Sequence, residues 1–125
     1  MVALKNFEQI GSRELKELSP EDFDAMAFGA IQLDQEGKVL AYNRWEANLA
    51  RRKPSDVIGK NFFKDIAPCT DVAAFRGRLD NLAAKGESTY LLDFDFAFPW
   101  GKRRVRVRFL VEPDGNRWVF VTDVS

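Results

Sequence analysis

Strict alternation runs through the last third of the chain. In TYLLDFDFAF (89–98), Leu92, Phe94, Phe96 and Phe98 share one face, while Asp93 and Asp95 share the other. That period of two predicts a half-buried β-strand. RRVRVRFLV (103–111) repeats it, with Val105, Val107 and Phe109 set against Arg104, Arg106 and Arg108. With PWGK as the hairpin loop, Phe98 pairs with Arg103, Phe96 with Val105 and Phe94 with Val107. On the polar face Asp95 then meets Arg106 and Asp93 meets Arg108. Pro113-Asp114-Gly115-Asn116 turns the chain into a last strand, RWVFVTDV. Two further strands are predicted upstream, GAIQLD (29–34) and KVLAYN (38–43), about the turn Gln35-Glu36-Gly37.

The remaining pattern is helical. Ser12 is the expected cap of SRELKEL, and Ser19-Pro20-Glu21-Asp22 is a second start signal. Phe23, Met26 and Ala27 follow at helical spacing, so the first 28 residues read as a small helical cap with one apolar stripe. Asn43 caps RWEANLARR, with Glu46 three positions on, and Pro54 to Ile58 makes one more turn closed by Gly59. Thr70 is the expected cap of a longer helix from Asp71 to Lys85, with Val72, Phe75, Leu79 and Leu82 as its stripe and Gly86 as its stop. Helices segregated from an antiparallel sheet make an α+β domain. The short helices between strands two and three must cover the aromatic face of the sheet, and a pocket can form between them.

Composition narrows the function. An apolar share of 46% with eleven Phe supplies a core, and 125 residues suit one domain. Acidic and basic residues balance at 19 each, so no net field favours nucleic acid or an anionic membrane. No apolar run approaches a membrane span, and MVALKNFEQI lacks the apolar region of a signal peptide. A cytoplasmic, monomeric protein is expected. The absence of His removes the commonest general base and metal ligand. The one thiol, Cys69, cannot form an internal disulfide. Taken alone, Cys69 reads as packing or as chemistry, Glu46 as half of a capping box, and Tyr42 as an edge aromatic. Arg51, Arg52 and Lys53 read as a solvated basic turn.

Specific stretches change that balance. AFGAIQLD (27–34), LAYN (40–43) with Glu46, VIGKNFFKDIAPCTD (57–71) and WVFV (118–121) closely resemble the photoactive yellow protein, or xanthopsin, family of blue-light receptors. The resemblance covers nearly the whole chain. It implies a PAS fold: a five-stranded antiparallel sheet, short helices over one face, a helical cap (1–28) and a core (29–125). It implies p-coumaric acid held as a thioester on Cys69, whose backbone N–H would hold the thioester carbonyl. Tyr42 and Glu46 would hydrogen-bond the phenolate oxygen. Arg52 would act as a gate, and Phe62, Thr70 and Phe96 would contact the chromophore. A Cys near a helix N-terminus would gain nucleophilicity from the dipole.

The chain also departs from the family. Ala50 stands where a hydroxyl residue commonly supports the tyrosine, and Phe94 and Phe98 replace tyrosines. Trp100 stands where the best-known member has methionine, in a loop that influences dark recovery. The implied partner is an unidentified downstream signalling protein, with no enzymatic activity in the chain itself. The alternative is a PAS ligand-binding or interaction module without chromophore.

Overall fold

A computed structural model describes residues 7–86 and 88–124; the first six residues of the expected cap lie outside the described residues. Two short helices come first, α1 (Ser12–Glu17) and α2 (Pro20–Asp24). Then follow β1 (Gly29–Leu33), β2 (Val39–Tyr42) and α3 (Arg44–Ala50). Short turns of 3-10 and π type lead to α4 (Arg78–Ala84), and β3 (Thr89–Phe98), β4 (Gly101–Val111) and β5 (Arg117–Asp123) complete the fold. All strand pairs are antiparallel, in the order β2-β1-β5-β4-β3. The α+β architecture with short helices over one sheet face is as expected. Among the described residues no helix is long and apolar enough to cross a membrane.

Both faces of the sheet are covered. On the front, Ile31, Leu33, Val105, Val107, Phe109, Val119 and Val121 form a core with Phe62, Phe75 and Leu79 from the helical segments. On the back, Ala30, Leu110, Trp118 and Phe120 pack under Ile10, Met26 and Phe28 of the N-terminal segment. Edge-to-face ring pairs stitch that layer, Phe7 to Phe28 at 5.6 Å and Phe28 to Phe120 at 5.8 Å. Arg108 of β4 pins the same segment. Its Nη1 donates to the Ile10 carbonyl, and its guanidinium lies 5.6 Å over the Phe120 ring.

Several local expectations are corrected. The cap of α1 is Gly11, not Ser12: Glu14 reaches back to accept from the Gly11 N–H at 3.2 Å. Ser19 does cap α2, accepting from the Asp22 N–H at 3.1 Å. That helix stops at Asp24, so Met26 is buried but Ala27 is exposed. Thr70 caps nothing, because its hydroxyl donates to the Ala67 carbonyl at 2.7 Å and closes a 3-10 turn, Pro68–Thr70. The helical run begins at Ala73 as a π-type turn and becomes α-helix only at Arg78. Val72 therefore precedes the helix and is exposed, while Phe75, Leu79 and Leu82 are buried.

The β3–β4 hairpin forms two residues out of the expected register. Phe98 pairs with Gly101, Phe96 with Arg103 and Phe94 with Val105. The loop is Pro99-Trp100 alone, and Gly101 takes the left-handed φ of 149° that follows it. A shift of two preserves every inward and outward assignment, so alternation cannot detect it. The charge ladder survives in new pairs, Asp93 with Arg106 at 2.8 Å and Asp95 with Arg104 at 3.1 Å.

Asn43 joins the front and back layers. Its Oδ1 accepts from the Ala30 N–H (3.0 Å) and from the Glu46 N–H (3.2 Å), the latter capping α3. Its amide nitrogen donates to the Phe28 (3.0 Å) and Phe23 (3.3 Å) carbonyls. Asn43→Ala removes a helix cap and strands a buried N–H and a buried carbonyl. It is expected to lower unfolding stability by about 2–4 kcal/mol, read from urea midpoints. Amide exchange should speed first in residues 23–30.

Candidate functional site

The front-face helices leave one small pocket against β3. Tyr42, Glu46, Arg52, Phe62, Phe96 and Phe98 line most of it. Tyr42 ends β2 and is paired with Ile31, which turns its ring inward. Glu46 stands in the first turn of α3, one helical turn from Ala50. Both acids are buried, Tyr42 at 4% exposure and Glu46 at 1%.

Glu46 does not complete a capping box. Asn43 supplies the cap, and the Asn43 N–H that the carboxylate would have accepted from donates instead to the Ala30 carbonyl at 3.1 Å. The Glu46 carboxyl is thus turned away from the helix end. Its Oε2 is, among the described residues, the only fully buried side-chain nitrogen or oxygen without a hydrogen-bond partner. Burial pushes its pKa from 4.5 up to about 8, so the group is a neutral acid at neutral pH. Burial also raises the Tyr42 phenol above its ordinary value; a charge on Glu46 would add to that, and Arg52 opposes it. The pair therefore offers two O–H donors inside an apolar enclosure.

Arg51 adopts the left-handed conformation, φ 56°, at the end of α3. That turn brings Arg52 back over the pocket, where its guanidinium donates to the Ile66 carbonyl at 3.3 Å. Arg52 is half-buried and closes the side where Arg51 is exposed. Phe62 and Phe96 form the aromatic walls, with ring centroids 6.5 Å apart. The chain reverses at Phe62 because Asn61 accepts from the Phe63 and Lys64 N–H groups.

Cys69 lies in the Pro68–Thr70 turn, half-buried and packed on the front core. It is not among the side chains that line the small pocket, and neither are Thr70 and Trp100. Thr70 pins the cysteine's turn through the Ala67 carbonyl. Cys69 sits inside that 3-10 turn, and Thr70, Asp71 and Val72 separate it from Ala73, where the next helical turn begins. Trp100 stacks on Phe98, with centroids 5.2 Å apart and planes 5° apart, and donates to the Leu49 carbonyl at 3.0 Å. Arg51 lies 4.4 Å over the indole. The structure thus brings together Tyr42, Glu46, Arg52, Phe62 and Phe96, and sets Trp100 one ring further out. Phe98, where the resemblance has a tyrosine of the pocket region, also lines it, and so does Ile66, to which the sequence assigned no such role.

The free volume within this lining is ≈ 10 Å³, about the room of one water. A ring-sized group enters only as the walls part. The donors and the aromatic walls suit a phenolic ring, and the orphaned Oε2 of Glu46 is the polar atom that such a group would satisfy.

Comparison with known proteins identifies the family. Residues 23–122 match the family model described as PAS fold. The photoactive yellow protein of Rhodothalassium salexigens is 42% identical over 111 residues, 88% of this chain and 89% of that one. That of Cereibacter sphaeroides is 37% identical over 118 residues, 91% of this chain and 95% of its own. Among solved structures, the photoactive yellow protein domain of the sensor histidine kinase Ppr from Rhodospirillum centenum superposes with a TM-score of 0.81. It is 38% identical, covering 86% of this chain and 96% of that one. Fold, pocket and relatives point the same way: the chain belongs to the photoactive yellow protein family of PAS-fold photoreceptors.

Proposed function

We propose that residues 1–125 form a single blue-light sensor domain, a cap (1–28) on a PAS core (29–125), that carries p-coumaric acid as a thioester on Cys69. The observation that carries this reading is the neutral, buried Glu46 with an unpartnered oxygen beside Tyr42. When bound, the group supplies a phenolic oxygen, a thioester carbonyl and a double bond that blue light turns from trans to cis.

The chain's own residues do the rest. Tyr42 and Glu46 would donate hydrogen bonds to the oxygen in its phenolate form, and the Cys69 N–H would donate to the thioester carbonyl. Phe62 and Phe96 would clasp the ring, Thr70 holds the cysteine's turn, and Arg52 would screen the ring from solvent. Glu46 would be the residue placed to release a proton at that oxygen. The carboxylate left behind is buried without a partner, which costs several kcal/mol. A domain of this size is stable by only ~5–15 kcal/mol, so part of the fold lets go. The cap is the part that does, and its release is the signal to a downstream signalling protein in the cytoplasm. In Ppr the related domain belongs to a sensor histidine kinase, which supports a signalling output of that class. One observation favours the alternative, a PAS module without chromophore: the small free volume of the pocket, ≈ 10 Å³.

Two measurements test the proposal. Folded Glu46 keeps its proton up to about pH 8, and the unfolded chain loses it near 4.5. Between those values the folded state binds the extra proton. The contribution of Glu46 to stability is therefore fullest below 4.5 and falls as pH rises, by up to ~1.4 kcal/mol per unit, until about 8. Glu46→Gln should flatten that slope, as urea midpoints across this window would show. Parallel slopes would mean that Glu46 is not neutral in the fold. Secondly, incubation with activated p-coumaric acid should give a blue-absorbing band that bleaches reversibly in blue light, with one coumaroyl group added in the intact mass. Cys69→Ala should lose both. A folded wild-type protein that stays colourless and unmodified would establish the alternative.

A further inference from the structure

The Glu46 carboxyl lies against a residue that has no side chain to meet it. Gly29 opens β1, paired with Val121 of β5 in the middle of the sheet, and is buried. Its backbone does not call for glycine, since it is not among the residues with positive φ. Glycine inside a strand weakens it and often marks a site where another group approaches closely. Here that group is Glu46. A Cβ built on Gly29 would fall within an impossible approach of Glu46 Oε2. It would also stand 3.1 Å from Trp45 Cε3 and 3.3 Å from Glu46 Cβ. The oxygen that would clash is the same one that lacks a hydrogen-bond partner.

We propose that Gly29 is a positioning residue for Glu46: its missing side chain forms the niche that holds the carboxyl inside the pocket, next to Tyr42. This rests on the reading of Glu46 as the proton-donating acid and names what keeps the acid in place. The niche is one-sided. Asn43 fixes the Glu46 backbone through its N–H at 3.2 Å, so α3 cannot slide away from β1 without breaking its cap. A methyl group at position 29 must therefore act on the Glu46 side chain first. The cation lining the same pocket is the half-buried Arg52. The titratable and charged groups around it are Tyr42 on β2 and Arg52 beyond α3, and no other charged residue lines the pocket.

The test uses the chromophore-free protein, so its result does not depend on whether Cys69 carries a group. Gly29→Ala is made in the wild-type chain and in a Glu46→Ala chain, and urea unfolding is measured for all four proteins. Added bulk in a packed site is expected to raise the unfolding constant of the wild-type chain by roughly tenfold to a hundredfold. Most of that penalty should vanish in the Glu46→Ala chain, where no carboxyl occupies the niche. If Gly29→Ala alone does not fold, the double variant should still do so. In parallel, the carboxyl carbon of Glu46 is followed by 13C NMR across pH, with the signal assigned by its loss in Glu46→Gln. Gly29→Ala should move the Glu46 titration down by about one unit or more, as the acid leaves its buried niche. An equal penalty in both backgrounds, a double variant as ill-folded as the single one, or an unmoved titration would each overturn the proposal. The first two would leave Gly29 as a packing residue beneath Trp45.

Discussion

A single buried amide holds this domain in register. Asn43 spends all of its hydrogen-bonding capacity inside the protein, two bonds accepted at Oδ1 and two donated from Nδ2. Those four bonds reach the end of α2, the residue before β1, the second residue of β1 and the first turn of α3. The Ala30 and Glu46 N–H groups and the Phe28 carbonyl are held in buried bonds, and a buried group left unpaired costs about 1–3 kcal/mol. No other residue type offers the same two acceptor and two donor directions in so short a side chain. The joint is therefore structural before it is functional, and it sets where α3 begins.

Where α3 begins decides what Glu46 can do. An acid at the third position of a helix usually folds back onto the helix end. Asn43 occupies that place, and its own N–H is committed to Ala30. The carboxyl is left to face the pocket, where nothing pairs with Oε2. An ionised carboxylate there would be costly, and the nearest cation, Arg52, is directed at the Ile66 carbonyl. The neutral acid is the form the fold accepts. A site that keeps an acid protonated near neutrality is poised to release a proton when its surroundings change.

Much of this was legible in the sequence, for identifiable reasons. The strands followed from alternation and the caps of α2 and α3 from Ser19 and Asn43, whereas the pattern alone marked Phe62 and Phe96 only as core, and their place beside a pocket came from the family resemblance. The register of the β3–β4 hairpin was not legible, because a shift of two residues leaves every face unchanged and trades one set of Asp–Arg pairs for another. Thr70 was misread because a hydroxyl after a Pro-containing turn suits a helix cap and a turn-closing donor equally well. The role of Glu46 was ambiguous for a similar reason. Its spacing from Asn43 fits a capping box, and only the direction of the Asn43 N–H excludes one. The place of Gly29 had no signal, since a glycine at the start of a strand has many possible causes.

Adjacent residues of β1 link the pocket to the cap through strand geometry. Successive side chains of a strand point to opposite faces. Gly29 faces the front and meets Glu46; Ala30 faces the back and packs among Met26, Phe28 and Phe120. The Ala30 peptide is bonded at both its N–H and its carbonyl to Asn43, which also caps the helix carrying Glu46. The peptide units beside Glu46 are thus also part of the floor beneath the N-terminal segment. No long chain of contacts is needed between pocket and cap, because a single strand separates them. Edge-to-face ring contacts around Phe28 and the Arg108 pin help to hold that segment down. Both rest on the back face of the same sheet, through Phe120 of β5 and Arg108 of β4.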